Sequence, residues 1–389
     1  MTVTVRDIAR QLGISPTTVS NVLRGKGRAS KETARKVLEV ARKSGYLAQE
    51  RIGHSRLLGL LFCVPPDRHD GHVTQSSLPE VASHYTSEAV SGIQNVISKY
   101  DYEMLFHIVE YTESVEELPD MVEQRTIDGL LVIGGSISDD YIRELRSREI
   151  PMVLVFTHVE NARVNSVLAD NAGGAYQAVD HLLSLGHRRI GFINGWAKTH
   201  TSEQKMAGYH RALHNAGLQL DPELVQTGNF TVESGYQAGE VLLSLPPSKR
   251  PTALFVADDS MAIGAIRAAK ALGLQVPEDI SVVGFGDGHF SAHLDPPLTT
   301  IRVPKRIIGE LAGQRLMDMI IHKQDVPELY TVVATELVIR QSTAPPASPA
   351  SPAASASPAA SASPAAAAPP APAAPSGKPV PDGSTSGTE

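Results

Sequence analysis

Cysteine is almost missing from this chain of 389 residues: the single one, Cys63, sits inside the apolar run 57–64. That excludes an internal disulfide framework and fits a reducing compartment. Aromatic residues are scarce too, at 5% with one tryptophan, so the 42% hydrophobic content is mostly aliphatic. No window approaches the ~20 apolar residues of a membrane-spanning helix. Residues 1–7, Met-Thr-Val-Thr-Val-Arg-Asp, lack the charged-then-apolar order of an export signal. The expectation is a soluble, cytoplasmic chain long enough for two or three domains. Catalytic signatures are missing as well. There is no nucleophile elbow and no phosphate-binding loop, and 284–289 departs from a dinucleotide fingerprint because His289 stands where its third glycine belongs. Neither enzyme activity nor a cofactor is expected.

What is present is an uneven charge. Residues 1–56 hold 12 Lys+Arg against 4 Asp+Glu, a balance of +8, while the rest of the chain stands at −15 within a net −7. A basic head on an acidic body points to a polyanionic partner for the head alone, since clustered cations gain affinity by releasing phosphate counterions. A solvated charged face is the plainer reading of charge by itself.

Composition divides the chain into a basic helical segment, an α/β segment and a tail of Ala, Pro and Ser. We place a basic helical head at 1–46, a hinge at 47–56, a two-lobed body at 57–343 and the tail at 344–389. The tail lacks the large apolar side chains that repay ordering entropy and is expected to be disordered. In the body, runs at 57–64, 104–109, 129–133, 151–156, 189–194, 253–257, 280–285 and 299–303 read as strands. They alternate with helical patterns at 79–99, 115–125, 139–148, 172–185, 202–216, 232–245, 260–272 and 304–320. Strands apolar on both faces belong to parallel sheets covered by helices, so the rhythm predicts doubly wound α/β. It falls into two halves meeting near 157–170. Ligands of such sheets bind at the carboxyl ends of strands, here after Phe156, Asn194, Ala257 and Phe285.

In the head, Thr4 stands three residues before Asp7, and Val5, Ile8, Ala9 and Leu12 give one apolar stripe ending at Gly13. Ser15 caps a second helix with Pro16 in its first position and Val19, Val22 and Leu23 inward, which stops at Gly25. Pro16, Thr17, Ser20 and Asn21 then face outward, as on the recognition helix of a helix-turn-helix that meets base edges in the major groove. Ser30 caps a third helix closed by Ala34, Val37, Leu38, Val40 and Ala41, and Arg24, Lys26, Arg28 and Lys31 lie where phosphates would run.

These residues resemble the head of LacI/GalR-family regulators: Val5-Arg6-Asp7-Ile8-Ala9, Gly13-Ile14-Ser15, Thr18-Val19-Ser20, Gly25-Lys26-Gly27 and Gly45-Tyr46. The resemblance continues in Asp170-Asn171-Ala172-Gly173-Gly174, in 181–190, Asp259-Ser260-Met261-Ala262, 279–285 and Pro296-Pro297-Leu298-Thr299-Thr300-Ile301, and leaves only the tail outside. It implies a repressor acting as a homodimer on a near-palindromic operator, with a periplasmic-binding-protein-like sensor for a small-molecule effector. By position Thr4, Ser15, Thr18, Ser20, Ser30 and Thr33 would hold phosphates, Pro16, Thr17 and Asn21 would face bases, and Tyr46 completes the DNA-binding set with Arg24 and Arg28. Asn21 departs from the arginine frequent there, and an asparagine pairs bidentately with adenine. The hinge is shorter than the family's and is broken by Gly53, which puts a minor-groove leucine wedge in doubt.

In the sensor the resemblance assigns effector contacts to Lys205, in the place of an arginine that holds sugar oxygens, and to Asp258. Phe156 and Gly286 occupy the places of two hydroxyl-binding aspartates. Loss of both carboxylates argues against an ordinary monosaccharide, although Asp287 stands next door. Trp196 follows a strand and could stack on a flat ligand or simply pack. The polar segment 65–83, with Asp67, His69, Asp70 and His72, lacks the spacing of a defined metal site, and no metal is assigned. Sugars, nucleosides and other metabolites remain open as effectors. Two rival readings are a protein partner in place of the effector and a solute-binding protein without DNA function; the basic head opposes the second.

Overall fold

The computed structural model describes residues 4–23, 30–43, 55–64, 86–110, 117–135, 137–159, 163–197, 199–322 and 327–347. Three helices open the chain, α1 (Val5–Leu12), α2 (Pro16–Leu23) and α3 (Lys31–Lys43). α1 starts at a reciprocal cap, in which the Asp7 amide donates to Thr4 Oγ1 at 3.4 Å and the Thr4 amide donates to Asp7 Oδ2 at 2.9 Å. It stops at Gly13, whose φ of 64° is the left-handed conformation that favours glycine. Ile8, Ala9, Val19, Val37 and Ala41 form the buried centre, with Val5, Leu12, Ile14, Val22 and Val40 packed against it. Those are the expected stripes. The side chains of Leu23 and Leu38, and residues 24–29 and 44–54, lie outside the described residues.

The body runs β1 (Leu57–Val64), α4 (Ser87–Ile97), β2 (Glu103–Glu110), α5 (Asp120–Glu123), β3 (Gly129–Ile133), α6 (Asp139–Ser147), β4 (Met152–Val155), β5 (Asn165–Ala169) and α7 (Asn171–Ser184). It continues with β6 (Ile190–Asn194), α8 (His200–Asn215), β7 (Val225–Thr227), α9 (Val232–Leu243), β8 (Ala253–Val256), α10 (Asp259–Ala271) and β9 (Ser281–Gly286). Last come β10 (Thr299–Arg302), α11 (Lys305–His322), β11 (Tyr330–Val333) and β12 (Glu336–Val338). One sheet has the order β11-β5-β4-β3-β1-β2 and the other β12-β10-β9-β8-β6-β7. Every pairing is parallel except β10 with β12. In each sheet the order reverses beside the first strand, which makes a switch point at the carboxyl ends of β1 and β3 and of β6 and β8.

The two lobes are not successive halves of the chain. The backbone passes to the second sheet after β5, returns to the first after β10, and crosses again after β11, so α11 packs on α4 and on β3, β4 and β5 of the first lobe. β5, β7, β11 and β12 escaped the sequence reading because they are short or carry polar residues. In β5, buried Asn165 takes hydrogen bonds from Arg315 Nε at 2.8 Å and the Leu329 amide at 3.0 Å, both distant in sequence. The helix expected at 115–125 is only α5, because Pro119 excludes helical backbone at Leu118. The body also reaches past residue 343: the Ala344 carbonyl accepts from the buried His187 Nε2 at 2.9 Å, which ties the start of the tail to the second lobe.

Candidate DNA-binding face and effector cleft

Helix caps organise the head's outer face. Ser15 Oγ accepts from the Thr18 amide at 3.0 Å and lies 2.8 Å from Thr18 Oγ1; Ser30 repeats this with Thr33 at 3.1 and 2.8 Å. Together with Thr4, the three helix starts each carry a hydroxyl beside amides at the positive end of a helix dipole, which suits a phosphate oxygen. Hydrogen bonds from Thr4 hold the Asp7 carboxyl below its ordinary range. Pro16, Thr17 and Asn21 are exposed on α2, Ser20 and Thr18 half-buried, and Val19 buried beneath them. Arg24, Arg28 and Tyr46 lie outside the described residues.

The second site lies where both sheets end. Phe156 after β4, Phe230 after β7 and Asp287 after β9 all adopt left-handed backbone, with φ of 62°, 69° and 51°. Such conformations cost ~1–3 kcal/mol each and cluster at ligand sites. Lys205, on α8, is buried; its ammonium donates to the Ala257 carbonyl at 3.0 Å and stands 4.3 Å from the centre of the Phe285 ring and 6.0 Å from that of Phe230. Burial lowers Lys205 to about 8 against the pull of Asp258 and Asp259. Asp258 caps α10 by accepting from the Ser260 amide at 2.7 Å, and burial with the adjacent Asp259 raises it to about 6. Asp259 holds the following loop, accepting from Thr300 and Ser291 hydroxyls at 2.6 Å and the Gly288 amide at 2.9 Å.

Lys205 and Asp258 therefore come together. Trp196 is half-buried, its carbonyl accepting from Thr199 Oγ1 at 3.0 Å where α8 begins. Phe156 is buried in the core of the opposite lobe. Asp287 is committed elsewhere: its carboxylate pairs with Arg302 at 2.7 Å and Arg340 at 2.6 Å. Burial pulls Asp287 up, but the two guanidiniums outweigh it and hold it below the usual range. Phe230 and Phe285 were missed. Phe230 becomes visible only through the turn that lays its ring on Gly195, where a Cβ would have to displace the ring.

The lobes touch around this site. A Cβ on Gly135, after β3, would lie 3.0 Å from Thr199, and the His158 ring stands 5.7 Å from that of His200. Glu88 on α4 meets the buried Lys305 ammonium at 3.2 Å and lies 3.9 Å from His289 of the second lobe. Among the described residues no helix is long and apolar enough to cross a membrane, and no three His, Cys, Asp or Glu residues gather as metal ligands.

Comparison with known proteins matches both regions. Residues 4–49 fit the model of bacterial regulatory proteins, lacI family, and residues 179–343 that of a periplasmic binding protein-like domain. The HTH-type transcriptional repressor CytR of Escherichia coli K12 is 32% identical over 87% of this chain and 96% of its own length. The repressor PurR of Aliivibrio fischeri MJ11 is 31% identical over 87% and 98%. Among solved structures, the lac repressor dimer bound to operator and the anti-inducer ONPF superposes with a TM-score of 0.63 at 26% identity, covering 88% of this chain and 100% of that one. The regulator CelR in complex with cellobiose gives 0.64 at 26% identity, covering 87% and 99%.

Proposed function

The chain belongs to the LacI family of bacterial transcriptional regulators, and from that premise we propose that it is an operator-binding repressor whose head, at 1–46, is controlled by a small molecule in the cleft of its body. The reading rests above all on the outward face of α2, where Pro16, Thr17 and Asn21 stand exposed over buried Val19. Laid in a major groove, that face puts Asn21 at a base edge, while Thr4, Ser15, Thr18, Ser20, Ser30 and Thr33 follow the phosphates. A homodimer presents two such heads to a near-palindromic site, as a solved relative does as a dimer on its operator. The chain then works by binding alone, in the cytoplasm, without catalysis.

For the effector, Lys205 offers hydrogen-bond donors beside Phe230 and Phe285, Asp258 an acceptor and Trp196 a flat ring. At the two positions where the resemblance implies hydroxyl-binding carboxylates stand Phe156 and Gly286, and the neighbouring Asp287 is held by two arginines. The site favours a flat polar metabolite over a simple monosaccharide. Closure of the lobes on it redistributes the dimer between DNA-binding and released forms. Selection of bound sites from random DNA, with Trp196 fluorescence titrated in parallel by sugars, nucleosides and aromatic metabolites, tests both parts. An absence of any enriched inverted repeat would overturn the operator reading; operator binding with no fluorescence response to any of these compounds would overturn the effector class.

A further inference from the structure

α8 carries more than the cleft lysine. Lys205, Gly208, Tyr209, Ala212 and Leu213 are buried along one side of it, and on the opposite side His210 and His214 are both exposed. Side chains four residues apart on a helix lie one above the other, and the two imidazole rings stand 6.4 Å apart between centres. A rotamer change brings one nitrogen from each ring onto a common ion at ~2.0–2.1 Å, the spacing on which paired helical histidines bind zinc.

Two features of the surroundings favour a cation there. Arg211, between the histidines in sequence, is drawn aside: its guanidinium lies 4.8 Å from the centre of the Tyr176 ring on α7. His214 also falls in the last turn of α8, where the free carbonyls carry the negative end of the helix dipole. Among the described residues no third His, Cys, Asp or Glu joins the pair, so the chain supplies two ligands and water completes the shell. That leaves a site weaker than a structural zinc centre and ordered by intrinsic metal affinity, copper(II) before nickel(II) and zinc.

We propose that His210 and His214 form a two-histidine surface site for a divalent transition-metal ion, separate from the DNA face and the effector cleft. The test is titration of the full-length protein with CuCl2 and with ZnCl2 against a chromophoric chelator, comparing wild type with His210→Asn and His214→Asn. Both positions are exposed, and equal melting temperatures without metal confirm that the variants fold. Each single variant should weaken one copper site by at least ~10-fold, since one ring alone no longer chelates. Copper should raise the melting temperature of the wild type by mass action and raise that of either variant less. Unchanged stoichiometry and affinity in both variants, including the case in which the other histidines take up all the metal, would overturn the proposal. So would a wild type that binds no copper.

Discussion

Gly309→Ala and Gly313→Ala make the same chemical change one turn apart on α11, yet their effects should be opposite in sign. A Cβ on Gly309 collides with the Ala89 carbonyl oxygen of α4 and lies 2.7 Å from its carbonyl carbon and 2.9 Å from its Cα, all backbone atoms that cannot rotate away. A Cβ on the reciprocal Gly92 would collide with the Arg306 carbonyl oxygen and lie 3.0 Å from the Glu310 amide nitrogen. Restoring ordinary contact of ~3.5 Å with either oxygen means moving the helices apart by more than ~1 Å, which forfeits roughly half or more of the dispersion energy along the seam. That seam contains buried Ile93, Val96, Ile308, Ala312 and Leu316. Overpacking costs ~1–3 kcal/mol and more where, as here, the atoms met are backbone, against ~0.5–1 kcal/mol gained by replacing a helical glycine. Gly309→Ala should therefore lose ~1–3 kcal/mol. At Gly313 the nearest atoms, Ile93 Cα and Val96 Cβ, are at 3.4 Å, ordinary contact, so alanine there should gain ~0.5–1 kcal/mol. Calorimetric melting of the two variants measures the difference. Equal midpoints would refute the close helix crossing as the cause.

Asn21→Ala should cost ~1–3 kcal/mol on the preferred operator and almost nothing on sites altered at the contacted base pair; an equal loss on every base variant, read by gel shift, sinks the base assignment. Asp258→Asn keeps the α10 cap, because asparagine caps as well as aspartate, and removes a half-buried charge. Asp258 has its folded value raised to about 6 from 3.8, so wild-type stability rises as pH falls through that window. The variant should therefore be more stable by at most ~3 kcal/mol above pH 6, with the gap closing toward pH 4, and a gap that does not vary with pH contradicts the burial argument. Lys205 has its folded value lowered from 10.5 to about 8, so stability rises with pH between those values, and Lys205→Met should lose that rise in denaturation measured from pH 8 to 10.

The head was legible almost to the residue because its signals are local. Thr4 with Asp7, Ser15 with Pro16, and Gly13 each act within four positions, and the structure begins and ends α1 and starts α2 at those residues. β1 and β3 were equally plain as apolar runs buried on both faces. Legibility failed where a residue's environment comes from far along the chain. Asn165 and Ser166 look unlike strand core until Arg315 and Leu329 satisfy the asparagine. The return of α11 to the first lobe left no trace in the helix–strand rhythm. In the cleft, Lys205 and Asp258 came from resemblance, whereas Phe230 depends on a left-handed turn and Asp287 on two arginines from β10 and beyond β12.

The same locality limits which substitutions can separate folding from DNA recognition. Ser15 and Ser30 cap α2 and α3 through the very hydroxyls proposed to face phosphates, so alanine at either removes ~1 kcal/mol of cap along with any DNA contact. Weaker binding by such a variant is therefore ambiguous between a frayed helix and a lost phosphate. A phosphate contact weakens all sequences alike and lowers the salt dependence, but so does partial unfolding of a basic head. Asn21 escapes the ambiguity. It is exposed near the end of α2, and what it is proposed to contribute is a difference between DNA sequences. There, loss of discrimination with melting temperature unchanged reports on recognition alone.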